Sequence, residues 1–416
     1  MKTYINNSTS KLAKYAAIVL ILVGAFSSCK REILSRELLS NYEANNYGEV
    51  FNVFWNGMNA NYLFWDEEKI DWDSMYRAYK PKFDSLDMQP YSDTTTNRCF
   101  QYMADMTKDL KDGQYALLFW SGGNIYFENN LYKNYISFIP KLFRTQAVRA
   151  ALPDTLFDYV IQYNYLKNFD YGVYRDPQTM EPFQIITGTL KKGTKNVMYT
   201  SLNTFTLKES YNYDYSTRPT RPVIKNLFDN VRKSNLDALI IDLRNNRGGN
   251  MEDISFLTGQ FTSKPVLFGY ARYKSGNGRL DYTPQLPMTI TPQAGASDFK
   301  KPIVILTDIY SSALCETVIN AFKALPETTV TVIGERTYGT AGYIMGDDIT
   351  NGGSFQVGSF AAVRMSNTAV TDLNGKFNFS GIIPDIEIKY NSTSIKQMLT
   401  SGVDIQLEKA IQFINQ

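Results

Sequence analysis

An α/β core preceded by a small helical bundle is the architecture this sequence predicts. Three observations predict it. Phe51, Phe54, Trp55, Met58 and Tyr62 recur at helical spacing near the start. From residue 183 onward, short apolar strands alternate with helical patterns. Two of those strands, at 238–242 and 302–306, run straight into polar turns rich in Gly or Ser.

The first residues read as a processing segment. Lys2, Lys11 and Lys14 precede an apolar run at 15–26, and Ser27, Ser28 and Cys29 follow. A basic stretch, a short apolar stretch and small residues before a cut make a secretory signal. The run is too short for a comfortable membrane span. The placement of Cys29 resembles a bacterial lipobox, which implies a signal peptide over 1–28 and a lipid on the Cys29 sulfur. A plain signal cut near Ser28 is the alternative. Either reading predicts export, and the lipid predicts a membrane anchor in the cell envelope, at the outer membrane.

Residues 29–47 are polar and read as a tether, and 48–114 as the helical domain. Its second helix starts at Asp71 and Trp72 and is expected to end at Pro81. A third runs over 96–110. The aromatics of this domain are read as core. Residues 115–195 form a connecting region, with a strand and turn at 115–127, a helix at 153–168 closed by Asn168, and a strand at 183–190. The domain of 196–416 opens with a strand at 196–206 and a helix at 221–235. A strand at 238–242 and a helix at 251–262 come next. Residues 274–298 read as a hairpin or long loop. Then come the strand at 302–306, a helix at 313–325 and a strand at 329–333. Strands near 354–366 and 384–389 lead to a last helix at 404–414.

Composition narrows the function. Lys and Arg number 43 against 41 Asp and Glu, a net charge of +2. That balance argues against nucleic acid as a partner. There is no histidine in the chain. With no histidine and no paired-cysteine motif, neither a metal site nor a cofactor is expected. Cys99 and Cys315 read as buried free thiols, although a disulfide between them is open in an exported protein.

Several stretches carry a family resemblance. Residues 240–249 read IIDLRNNRGG, 334–339 read GERTYG, and 381–385 read GIIPD. Residues 196–205, NVMYTSLNTF, resemble the strand that opens the core of the same proteins, and 50–113 resemble a helical domain before it. Together they resemble the C-terminal processing (tail-specific) serine peptidases, in the tricorn-like branch found among bacterial lipoproteins. The resemblance implies a Clp protease/crotonase-like ββα core and a serine peptidase site. No peptide-binding insert of the PDZ type is evident.

The resemblance also places the catalytic positions, and this chain departs from them. The family's histidine after Asp112 and Gly113 falls on Gln114, which cannot act as a base near neutral pH. Its serine nucleophile, three residues before Glu316, falls on Ala313. The general-base lysine of related processing peptidases falls on Thr340. A supporting acid falls near Asn378. Gly248, Gly249 and the helix start at Ala313 are expected to supply backbone N–H groups toward an oxyanion. Asp242 and Arg244 are expected to brace the turn.

Ser312, one residue upstream of Ala313, is a weak candidate for a shifted nucleophile. Its ordinary role there is a helix cap. Lys323 is expected to be out of reach, and Lys191, Lys192 and Arg336 are candidates only by elimination. Three functions remain open. One is a peptidase relative that no longer cleaves but binds peptide or protein. Another is an active peptidase using Ser312. The third is a structural component of the envelope.

Overall fold

The computed structural model describes residues 44–120, 135–138, 154–175, 182–213, 217–233, 235–276, 278–345 and 352–416. The expected signal segment and Cys29 lie outside these residues.

Three helices come first: α1 (Tyr47–Asn61), α2 (Trp72–Asp87) and α3 (Asp93–Thr107). Asn46, Asp71 and Ser92 cap them, accepting N–H groups that a first turn leaves unpaired. Phe51, Phe54 and Met58 are buried, as their spacing predicts. Pro81 does not end the second helix, because α2 continues to Asp87. Phe83 and Leu86 lie beyond the proline and are buried, with Phe83 against Phe51 at 5.0 Å between ring centroids. Burying two such side chains contributes roughly 3–6 kcal/mol. That offsets the cost of about 3 kcal/mol for a proline inside a helix.

Strands β1 (Ala116–Trp120) and β2 (Tyr135–Phe138) follow. Helix α4 (Asp154–Val160) passes through a π-turn at Ile161–Tyr165 into β3 (Leu166–Arg175). The helix expected to close at Asn168 therefore stops earlier, and Asn168 lies within a strand. Its φ of 50° coincides with a register shift between Lys167 and Asp170. Asparagine tolerates the left-handed conformation, so it suits a bulge.

The chain continues through β4 (Pro182–Leu190), β5 (Val197–Leu202), α5 (Leu207–Asn212), α6 (Thr220–Lys233) and β6 (Ala238–Asp242). Next are α7 (Glu252–Thr258), β7 (Val266–Arg272), β8 (Leu286–Ile290), β9 (Ile303–Thr307) and α8 (Leu314–Lys323). After β10 (Val330–Gly334) come the short strands β11 (Gly342–Tyr343), β12 (Phe355–Val357), β13 (Ala361–Arg364) and β14 (Thr368–Thr371). The chain closes with β15 (Ile386–Glu387), α9 (Ser392–Ser401) and α10 (Ile405–Asn415). The stretch expected as a hairpin or long loop contains β8, which pairs antiparallel with β7.

The main sheet has seven strands in the order β15-β10-β9-β6-β5-β4-β3. Strands β5, β6, β9 and β10 run parallel. Every residue of β6 and β9 is buried. Parallel strands covered on both faces read as unbroken apolar runs, which is how these two looked in sequence. One face packs on Val223, Leu227 and Val318 of α6 and α8. The other packs on Leu407, Ala410 and Ile411 of α10.

Two smaller sheets, β12-β13-β1-β2 and β11-β14-β7-β8, lie outside the main one. The first helices share their core with them: Tyr62, Phe64 and Met103 cluster with Val357, Val363 and Ala369. The helical region thus packs on strands from the far end of the chain.

Candidate active site

The site grows from two neighbouring strand ends. Strands β6 and β9 are paired in parallel, with Asp242 opposite Leu306. Both stop at the same edge, so the turns after them meet. Asn245 N donates to Asp308 Oδ1 at 2.9 Å, and Ser312 N donates to the Asn246 carbonyl at 3.0 Å. Ser311 Oγ donates to the Leu243 carbonyl at 2.7 Å. These bonds hold the 243–249 turn against the 308–313 turn.

The glycines are required by space as well as by backbone angle. Gly248 has φ 99° and Gly249 φ 147°, values that side chains rarely adopt. A Cβ on Gly248 would lie 2.9 Å from Leu314 N and 3.0 Å from the Ala313 Cβ. A Cβ on Gly249 would strike the Phe205 carbonyl at 2.2 Å. The close approach brings Gly248 directly against the start of α8, but two of the three expected donors, Gly248 N and Ala313 N, are bonded to side chains. Gly248 N is turned inward to Asn246 Oδ1 at 2.9 Å. Gly249 N and Leu314 N meet no acceptor among the described residues.

Ala313 is the boundary of α8, with φ 53° and ψ −124°. A non-glycine residue in this region is strained, and such strain collects at functional turns. The expected cap at Ser312 is not there: Ala313 holds the cap position and gives no side-chain bond. The reason is local. Ser312 is drawn into the turn after β6 by its own N–H, so the helix starts a residue later. Ser312 Oγ meets no partner among the described residues.

The residue at the lysine position contacts the residue at the nucleophile position. Thr340 Oγ1 accepts the Ala313 N–H at 3.1 Å. Thr340 is itself placed by Glu316, whose Oε2 accepts Thr340 N at 2.6 Å. Glu316 is buried in the first turn of α8. Its Oε1 accepts Gly339 N and Asn378 Nδ2, each at 2.8 Å, and also the Thr337 hydroxyl. One carboxylate therefore ties the GERTYG turn and Asn378 to the helix.

Sequence reasoning used Glu316 only as a landmark. The signal was present, because a lone acid within the apolar run of α8 needs buried donors. Asn378, where the resemblance places a supporting acid, reaches this network as a donor through Nδ2.

The base position arrives from the helical region. Asp112 is buried and accepts Ser366 N and Ser366 Oγ, each at 2.9 Å, and Gln114 N at 2.9 Å. These bonds set the Gly113 backbone beside the turn. A Cβ on Gly113 would lie 3.2 Å from the Gly339 carbonyl and 3.4 Å from the Thr340 Cα. Gly113, Thr340, Ala313 and Gly248 thus come from distant segments into one neighbourhood, and Gln114 follows Gly113 in the chain.

The three candidate lysines are occupied elsewhere. Lys323 pairs with Asp385 at 3.3 Å. Lys191 Nζ donates to the Tyr163 carbonyl at 2.6 Å, and Lys192 pairs with Glu408. Burial pushes the Cys315 thiol well above its usual range, assisted by Glu316 and Asp308. Cys99 and Cys315 are both buried free thiols.

Asp242 and Arg244 brace the turn as expected. Arg244 Nε donates to Asp242 Oδ1 at 2.8 Å, and Nη1 donates to Asp404 Oδ2 at 2.8 Å and the Tyr390 hydroxyl at 2.7 Å. Burial works against the charge, but Asp242 and Asp404 hold the guanidinium well above its usual pKa.

The comparisons with known proteins agree with this frame. No curated protein matches the chain. A candidate peptidase from Parabacteroides merdae has a similar structure, with a TM-score of 0.60 and 22% identity over 89% of this chain and 97% of that one. Mature CPAF complexed with lactacystin is similar at a TM-score of 0.56 and 12% identity, over 89% of this chain and 98% of that one. At these identities the likeness establishes the fold. The profile of peptidase family S41 matches residues 196–388. Residues 196–388 therefore form a peptidase family S41 domain, the family of the C-terminal processing peptidases that the motifs within them resemble.

Proposed function

We propose that this protein is an exported, lipid-anchored relative of the S41 peptidases that no longer cleaves, and that it binds a peptide or protein segment in the former cleft. One observation carries the reading. The strained backbone at Ala313 is kept, yet a methyl stands where the hydroxyl would be, and Thr340 Oγ1 accepts the Ala313 N–H at 3.1 Å. A lysine base and a serine nucleophile are replaced by a contact that cannot activate water. Binding capacity remains. Leu314 N and Gly249 N are unpartnered among the described residues. A cavity of about 260 Å³ lies beside Thr340, Glu316 and Asn378.

Cleavage by Ser312 is the second reading. Its hydroxyl has no partner among the described residues, so it has no base. The purified mature protein is expected to leave casein and peptides with apolar C-termini intact. Hydrolysis above background that disappears in Ser312→Ala would establish the second reading instead. If neither hydrolysis nor peptide binding is found, the protein is a structural component of the envelope.

A further inference from the structure

The cavity beside Thr340 is not the end of the concave surface. A second, larger hollow of about 860 Å³ is lined by residues 374–381 and Ile383, with Glu67 and Lys111 on its other wall. Asn378, Lys376, Phe377, Gly381 and Ile383 line both hollows, so they share a wall. The larger volume falls in the range of sites that hold extended small ligands.

Its floor is aromatic and firmly held. Phe377 and Phe379 pack on Phe64 at 5.5 and 5.1 Å between centroids, and on each other at 5.7 Å. Arg272 stacks over Phe377 at 4.8 Å. Ile383 is 62% exposed, which leaves an apolar shelf open to solvent.

Its charge is positive. Lys111 and Lys376 line the hollow against one carboxylate, Glu67. Lys376 is exposed and forms no ion pair among the described residues. Asp372, the nearest acid in sequence, accepts Asn374 N and Lys376 N through Oδ1, each at 2.9 Å. Lys111 Nζ donates to the Glu67 carbonyl and lies 5.4 Å from the centre of the Phe379 ring. An apolar shelf flanked by ammonium groups complements a segment that sets an acidic side chain beside an apolar one.

We infer that the former cleft extends into this groove, and that its occupant is a peptide segment pairing Asp or Glu with a neighbouring apolar residue. The inference rests on the peptide-binding reading. It adds a preference that the catalytic positions do not supply.

The test uses the mature chain on beads and a randomised dodecapeptide library, with the bound fraction sequenced by mass spectrometry. Enrichment of Asp and Glu next to apolar residues, by about threefold or more over the input, is expected. Lys376→Glu should abolish or invert that preference, and Lys376→Arg should keep it. Raising the salt concentration should weaken it. Enriched peptides with no acidic preference, unchanged by Lys376→Glu, would overturn the groove while leaving peptide binding intact. No enrichment over bare beads would overturn both.

Discussion

Thr340 Oγ1 accepts the Ala313 N–H at 3.1 Å, joining the position where related peptidases carry a lysine to the position where they carry a serine. Glu316 holds both partners. Its N–H donates to the Ala313 carbonyl at 3.0 Å, and its Oε2 accepts Thr340 N at 2.6 Å. The turn after β9 and the GERTYG turn are therefore held together at these two positions, which carry a methyl and a hydroxyl.

The proposed reading predicts partial restoration. Ala313 already carries a Cβ at a φ of 53°, so Ala313→Ser adds no new backbone strain. It should change stability by less than about 1 kcal/mol. Gln114→His combined with Ala313→Ser should give measurable labelling by a serine-reactive phosphonate. Either change alone should give little, because nucleophile and base act as a unit. Preorganised donors each account for ~10²–10³ in rate. A folded double variant that stays unlabelled would mean the donors no longer face a common point.

The buried ion cluster sets a stability test. Arg244 lies between Asp242 and Asp404, and both acids are buried with it. Arg244→Met leaves them facing each other without a cation. The loss should be roughly 3–5 kcal/mol in urea unfolding, the usual cost of breaking such a cluster on one side. A loss below about 1 kcal/mol would show that the carboxylates find other partners.

Asp253 should make stability depend on pH. Its carboxylate accepts Leu207 N at 2.6 Å and Lys208 N at 2.9 Å. Burial pushes its pKa up to about 7, against the pull of those two bonds. In the unfolded chain the value is about 3.9. Between about 4 and 7 the folded state binds more protons, so this residue's contribution falls as pH rises. It is fully present below about 4 and lost above about 7. The stability difference between wild type and Asp253→Asn should shrink or reverse from pH 4.5 to 7.5. A difference that grows over that range would contradict the assignment.

Membrane attachment is tested at Cys29. The basic and apolar stretches before Ser27, Ser28 and Cys29 predict lipidation there. Wild type should enter the detergent phase, and Cys29→Ala should release the protein into the soluble fraction. A variant that still sediments with membranes but leaves the detergent phase would point to a membrane-bound partner.

Two central strands and the turns at their ends were legible in the sequence. Residues 238–242 and 302–306 were legible because strands buried on both faces must be apolar throughout. Gly248 and Gly249 were legible because a turn that presses against another segment excludes a Cβ. Gln114, Ala313 and Thr340 could be named only through the family's spacing.

Which segments meet was settled by packing over the whole fold. Pro81 failed to end α2 because Phe83 and Leu86 found buried partners, and burial outweighed the proline. Ser312 looked like a cap by type, but its N–H was drawn to Asn246 and Ala313 took the cap position. The link from Thr340 to Ala313 spans 27 positions. Asp112 reaches Ser366 across 254. Contacts of that kind depend on how strands stack and which turns share an edge, and local propensity carries no record of either.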